Sequence, residues 1–348
     1  MTPRHIVQEI NGVPIWDTFA EAFPMKATRL VITAIDAWWC DQAVQAMCGF
    51  GTSVIACGLE IAREQTLAPE STPDGRPGAS ILAFGMSGKE LLKQIPVRAG
   101  QCVLTCPTTS LYAGLPMTRQ EVEKRIPLGK SVRYFGDGHQ IAKVLPAVDE
   151  NHAASERDVE GNWDERTHRY WRIPVMDGEF VCQHDVAQIN AIGGGNFILL
   201  GRSLASVSRA CRAASMAMAE LPGVITPFPG GATRSGSKVG SKYAKLFAST
   251  NEAYCPTLRH LPGSVWSGTN GGDGVEVAAL EIVIDGINAE RIATAMKAGI
   301  QAACDAVGPD GLLAVTAGNY GGKLGPHHFH LRDVLNDAPE PDSWEGTW

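Results

Sequence analysis

LEIVIDGINAERIATAMKAGIQAACDAVGPDGLLAVT, residues 280–316, holds a strand, a capped helix and a second strand in one run. LEIVI (280–284) is short, aliphatic and β-branched, as a strand should be. Asn288 is placed to cap a helix whose apolar residues Ile292, Met296, Gly299, Ile300 and Ala303 recur on one face. LLAVT (312–316) is the return strand. Working outward, NFILL (196–200) reads as a strand, Ser203 caps a helix to Leu221, and GVITPF (223–228) returns. The first half repeats the scheme. RLVIT (29–33) is a strand, Asp36 caps a helix to Met47, and SVIA (53–56) follows as a strand. SILAF (80–84) precedes a capping box of Ser87 and Glu90, a helix to Arg98, and QCVLT (101–105) as the closing strand. Each half thus carries two β-α-β units. The fold class predicted is α/β (α+β), built as two tandem ferredoxin-like split β-α-β lobes.

The predicted boundaries follow from composition. Residues 1–146 form an N-terminal lobe, 147–172 a charged insertion or linker, 173–335 a C-terminal lobe, and 336–348 a flexible acidic tail with Trp344 and Trp348. The 348 residues are 44% hydrophobic and carry a net charge of −7, enough apolar material for a full core and the wrong sign for a general nucleic-acid binder. No run nears the ~18 apolar residues of a membrane span, and the N-terminus lacks an apolar signal region. Nine cysteines without a CxxC pair suit reduced thiols. These features predict a cytoplasmic protein with no membrane or nucleic-acid partner.

Several residues could carry chemistry. Glu281 interrupts an aliphatic strand. Period-2 alternation would turn it to water, with Leu280, Ile282 and Ile284 facing the core. In a dry cleft it would instead stay protonated and donate a hydrogen bond or move a proton. GNYGGKLG (318–325) offers backbone N–H groups, the Asn319 amide, the flat face of Tyr320 and the charge of Lys323; a plain tight turn is the other reading. Lys238 and Lys242, with Lys245, lie among small residues in a stretch that could attract anions or be a solvated loop. Gly230 and Gly231 form a further glycine pair. Arg76 tips the Pro-Asp-Gly-Arg-Pro-Gly turn (73–78), either as part of the turn or presented to an anion. His327, His328 and His330 have metal-like spacing without a nearby carboxylate or cysteine, so an edge strand of half-exposed histidines is preferred and no metal ligand is assigned. Cys102 and Cys106 lack a visible base for nucleophilic work.

NGVPIWDTFAEAFPMKATRLVITA (11–34), GFGTSVI (49–55), TPDGRPG (72–78), GQCVLTCPTT (100–109), YFGDG (134–138), GGNF (194–197), GVITPFPGG (223–231), SGSKVG (235–240), EIVIDG (281–286) and GNYGGKLG (318–325), taken in order, resemble the formylmethanofuran:tetrahydromethanopterin formyltransferase family over residues 11–333. The resemblance implies two ferredoxin-related lobes, the N-terminal taken as proximal and the C-terminal as distal. It implies formyl transfer between tetrahydromethanopterin and the amine of methanofuran or methylofuran in one-carbon metabolism. These are cosubstrates; no metal or prosthetic group is implied. It places catalysis on Glu281, the first residue of the EIVIDG strand, where a protonated carboxyl would stabilise an oxyanion. It also implies a subunit-interface site, hence a homo-oligomer, dimer or tetramer. Lys238, Lys242, Lys323, Asn319, Tyr320, Gly230, Gly231 and Arg76 become candidates for binding the anionic coenzymes.

The long 147–169 segment, an N-terminal extension of about ten residues, the acidic tail and a modest acidic excess point to the methylotrophic bacterial branch. There the chain would resemble the formyltransferase subunit of a formyltransferase/hydrolase complex, with other subunits as partners. A non-catalytic coenzyme-binding scaffold, a Cys-dependent formyl hydrolase and a His328/His330 metal enzyme are the alternatives.

Overall fold

The computed structural model describes residues 5–115, 124–132, 141–144, 169–243, 245, 250–267, 277–323 and 325–337. The expected insertion at 147–172 lies outside these residues except for 169–172, and the expected tail except for 336 and 337. GGDG (271–274) and YFGDG (134–138) lie outside as well. Among the described residues no helix is long and apolar enough to cross a membrane.

The chain opens with a hairpin of β1 (Ile6–Ile10) and β2 (Val13–Trp16), turning through Asn11 and Gly12 at φ 47° and 73°. Two positive φ values match the right-handed twist of the strands, which is why Asn-Gly stands there. The long strand β3 (Phe19–Thr33) then leads to α1 (Ala37–Cys48), α2 (Val54–Cys57), β4 (Glu60–Leu67), β5 (Gly78–Gly85), α3 (Gly88–Arg98) and β6 (Ser110–Ala113). β7 (Lys124–Pro127), α4 (Gly129–Val132), β8 (Ile141–Val144), β9 (Arg169–Val175) and β10 (Gly178–Gln183) follow. A second long strand, β11 (Asp185–Gly201), precedes α5 (Leu204–Ala219), β12 (Val224–Ile225), β13 (Ala278–Gly286), α6 (Ala289–Gly311), β14 (Leu312–Thr316), β15 (His327–His330) and α7 (Leu331–Asp337).

The compact units divide elsewhere than the expected 146 and 173. One unit joins the chain up to Pro24 with the chain from Ile192; the other is Met25–Ala191. Both divisions fall inside the long strands β3 and β11. Charge and loop composition marked a surface insertion, but composition cannot reveal a strand that serves two cores. The arrangement is nested rather than tandem.

In the Met25–Ala191 unit the neighbours run β6-β3-β5-β4, each pair antiparallel. In the other the order is β14-β11-β13-β12, again antiparallel throughout. Numbered along each unit, both read 4-1-3-2, with a helix after the first strand and another after the third. Asp36, Ser203 and Asn288 cap their helices as expected, each side chain accepting a backbone N–H of the first turn. Such a cap is worth ~1 kcal/mol. Ser87 likewise accepts the N–H of Glu90.

Two expected strands are helical. SVIA forms part of α2, because Ser53 caps it through the Ile55 N–H and Gly58, at φ 74°, ends it. A four-residue apolar run cannot separate the two states by periodicity. QCVLT continues α3 as a π-helical turn over Ala99–Val103, with Ala99 and Val103 facing the core. The strand that closes this unit is β6, from the TTSLYA stretch. GVITPF contributes only the two-residue β12.

In the unit containing β13, α5 and α6 cover one sheet face. Phe197, Leu199, Ile282 and Ile284 pack there against Val207, Ala210, Ala214, Ile292, Met296 and Ile300. The opposite face is not open to water. Ile198, Leu200 and Ala314 pack there under Val265, Trp266 and Val277. That cover decides the environment of Glu281.

Candidate active site

Glu281 projects from the helix-free face, as alternation with buried Ile282 and Ile284 requires. Its environment comes from the segment after β12. Thr233 forms an antiparallel bridge with Glu281, exchanging both backbone hydrogen bonds at 2.7 and 3.0 Å. The next turn brings Ser235 onto the carboxyl, its Oγ donating to Oε2 at 3.0 Å. Gly236 pairs with Thr250, and the Asn251 N–H donates to the Gly236 carbonyl. That pairing places Asn251 Nδ2 3.1 Å from the same Oε2. Burial pushes the Glu281 carboxyl above the ordinary carboxylate range, and the two hydrogen bonds offset part of the rise.

The other oxygen faces a glycine. A Cβ on Gly318 would lie 3.5 Å from Glu281 Oε1 and 3.2 Å from Asn196 Oδ1. Asn196, on β11, accepts the Gly318 N–H at 2.6 Å and donates to the Gly318 carbonyl at 3.0 Å. Glu281 thus lines a small pocket with Ile198, Arg234, Tyr254, Cys255 and Ala279. Tyr254 also borders a larger hollow of about 390 Å³, lined further by Trp16, Asp17, Thr18, Val265 and Thr316. Thr316 pairs with Ile198, which pairs with Glu281, so the three share one cross-strand row. A half-buried acid in a small pocket, which shares Tyr254 with a hollow large enough for a ring, is equipped to donate to a substrate carbonyl.

The structure brings Glu281 and the 318–325 loop together, but the loop's amides do not face solvent as expected. Those of Tyr320 and Gly322 donate to Glu21 Oε2 at 2.7 and 3.0 Å, and that of Gly325 to Oε1 at 2.6 Å. Asn319 is tied inward through Phe19 O and the Gly321 N–H. The Tyr320 and Lys323 side chains are exposed. Lys242 is exposed and Lys238 half-buried on the segment that carries Ser235. Gly230 stands open, whereas Gly231 packs on α5, where a Cβ would come within 2.2 Å of Ser215 Oγ.

Arg76 belongs to the Met25–Ala191 unit and is built into its turn. Its Nε reaches Asp74, Nη1 the Thr108 carbonyl, and Nη2 Thr33 and Ser110. Asp74 in turn accepts from Tyr112. His328 and His330 share one face of β15 and both rings lie against Phe19. Among the described residues no three His, Cys, Asp or Glu side chains cluster as metal ligands. Burial pushes the Cys102 and Cys106 thiols up, away from nucleophilic thiolates.

Ser235, Asn251, Asn196 and Glu21 escaped the sequence reading. Ser235 lies in the lysine-bearing stretch and Asn196 opens the NFILL strand, where neither side chain has a signal of its own. Asn251 had no local signal, since only the bridge to Gly236 brings it in. Glu21 has no local signal either, since only the fold of the β14–β15 loop brings backbone amides onto it.

The chain matches the family model "Formylmethanofuran-tetrahydromethanopterin formyltransferase" over residues 8–150, and the model "FTR, proximal lobe" over 178–334. The proximal label therefore falls on the C-terminal match, the reverse of the expected assignment; sequence order alone carries no information on such labels. A formylmethanofuran–tetrahydromethanopterin formyltransferase of Rhodopirellula baltica is 63% identical over 338 residues, covering 97% of this chain and 95% of that protein. The formyltransferase/hydrolase complex of Methylorubrum extorquens, solved with methylofuran, contains a chain of 45% identity and TM-score 0.82, covering 96% of this chain and 99% of that one. The formyltransferase of Methanosarcina barkeri gives 38% identity and TM-score 0.79, covering 94% and 100%. The two bacterial relatives thus exceed the archaeal one in identity, and this chain, an acyltransferase, belongs to the formylmethanofuran-tetrahydromethanopterin formyltransferase family.

Proposed function

We propose that the chain moves a formyl group between the pterin nitrogen of tetrahydromethanopterin and the primary amine of methanofuran or methylofuran, with Glu281 as the catalytic acid. The amine lone pair attacks the formyl carbon and a C–N bond forms, while the C=O π pair moves onto oxygen. A protonated Glu281 donates a hydrogen bond to that oxyanion. Collapse re-forms the carbonyl and breaks the bond to the leaving nitrogen, which takes up the proton lost by the attacking amine. Removing one oxyanion donor elsewhere costs ~3–4 kcal/mol, and positioning of the two coenzymes supplies much of the remaining rate. The step uses only the coenzymes and this chain's own groups.

The observation that carries the reading is the half-buried Glu281 carboxyl, one oxygen held by Ser235 and Asn251 and the other turned to Gly318. The hollow bounded by Trp16 and Tyr254 suits the flat ring of a coenzyme. Lys238, Lys242 and Lys323, with Tyr320, Asn319 and the Gly230-Gly231 turn, are the proposed contacts for anionic tails. The 4-1-3-2 antiparallel order supports reading each unit as a ferredoxin-like split β-α-β lobe.

The solved relative from a formyltransferase/hydrolase complex holds methylofuran, which supports a furan coenzyme as one of the two cosubstrates. It also supports assembly with further subunits, this chain itself being a homo-oligomer in the cytoplasm. The test is the purified chain assayed with formyl-tetrahydromethanopterin and a furfurylamine acceptor. Transfer supports the enzyme; saturable binding of both coenzymes without transfer marks a scaffold and overturns the proposal.

A further inference from the structure

Glu21 is 1% exposed and lies on β3 opposite His328 of β15. The loop between β14 and β15 folds over it. Both its oxygens are used, in three hydrogen bonds from the backbone N–H groups of Tyr320, Gly322 and Gly325. Its own N–H donates to the Gly318 carbonyl at 3.3 Å. Gly321 and Gly322 take φ 79° and 70°, the left-handed conformation that turns successive amides toward one side. Gly325 allows the closest approach, since a Cβ there would come within 2.3 Å of the Ala22 carbonyl. This is an anion-binding nest whose anion is internal. At its start, Gly318 closes over the Glu281 carboxyl.

We propose that Glu21 is a positioning residue for formyl transfer: by filling the amide nest of the 318–325 loop it holds Gly318 against Glu281 and leaves those amides closed to coenzyme anions. This inference deepens the reading of Glu281 and rests on it for one of its two tests. Anionic tails of the coenzymes then meet side chains, not this backbone. A loop released from Glu21 admits water to Glu281 and lets its carboxyl ionise more readily. The other titratable groups lining that pocket are Arg234, Tyr254 and Cys255, all from the segment after β12.

The test uses the full chain. Glu21→Gln puts an NH₂ where an acceptor stood. The expected result is a kcat loss of about tenfold or more, KM for both coenzymes within about threefold, and a high-pH limb of kcat moved to lower pH by at least about half a unit. A kcat loss with an unmoved limb shows a merely structural role and overturns the proposal, as does unchanged kinetics. Should the variant not fold, hydrogen exchange on the native chain decides. The Tyr320, Gly322 and Gly325 amides are expected to exchange slowly in the free enzyme, with no added protection when tetrahydromethanopterin or the furan coenzyme is present. Fast exchange, or protection gained only with coenzyme, overturns it. A native kcat profile whose high-pH limb survives in Glu281→Gln would fault the Glu281 reading alone, and the exchange result would still judge Glu21.

Discussion

Glu281→Gln is the perturbation with the sharpest expected result. Glutamine keeps the side chain's shape. Its Oε1 can take the place of the carboxyl oxygen that accepts from Ser235 and Asn251, which turns its NH₂ toward Gly318 and the pocket. The fold and the coenzyme contacts are thereby kept, whereas the acidic O–H donor is replaced by a far weaker amide donor that cannot yield a proton. The loss is the transition-state share of one oxyanion donor, 10²- to 10³-fold in kcat, or about 2.7–4 kcal/mol. KM for each coenzyme stays within about threefold, because the lost interaction strengthens only as negative charge develops. Steady-state kinetics with each coenzyme varied in turn, on protein whose folding is checked by circular dichroism, reads both quantities. A kcat within threefold of the parent, under ~0.7 kcal/mol of barrier, refutes the assignment of Glu281 as the acid.

Further expectations follow from the same geometry. The folded chain holds the Glu281 proton to higher pH than the unfolded chain does, so ionising it costs stability only once pH passes the ordinary glutamate range. Below that range the residue is neutral in both states. Above it, native stability falls relative to Glu281→Gln by about 1.4 kcal/mol per pH unit until the folded-state pKa is reached. Denaturant titrations of both proteins from pH 4 to 8 should show that drift, and a constant difference would mean an unshifted carboxyl. Ser235→Ala removes a donor that favours the ionised form, so the high-pH limb of kcat should move to higher pH; movement to lower pH contradicts the role of that hydrogen bond. Gly318→Ala sets a methyl 3.5 Å from Glu281 Oε1, where turnover should drop at least tenfold with little change in melting temperature. Arg76→Lys loses the forked contacts to Thr108, Thr33 and Ser110, and should cost roughly 1.5–3 kcal/mol of stability while leaving both KM values alone.

Much of this molecule is written locally. The helices of 289–311, 204–219 and 37–48 start at Asn288, Ser203 and Asp36 because those side chains accept first-turn amides, a relation visible within four residues. The strand 280–284 and its alternation were legible for the same reason. What could not be read were states decided at a distance. The apolar run 101–105 suits strand or helix, and the preceding helix carried it into a π turn. The unit boundary falls inside β3 and β11, where nothing in composition changes. Glu281 was identified, but its surroundings depend on a Thr233 bridge and on Asn251, thirty residues away in sequence. The glycine loop was singled out for its exposed amides, and a carboxylate some three hundred residues earlier had already claimed them.

The central claim is that one enclosed carboxyl stays protonated where ordinary glutamates are ionised. Infrared difference spectra of the native chain against Glu281→Gln, taken across pH, test it directly through the carboxylic-acid C=O stretch. The account predicts a protonated-acid band, absent from the variant, that persists above the pH range in which ordinary glutamates ionise. A band that vanishes with a midpoint in the ordinary glutamate range would contradict it.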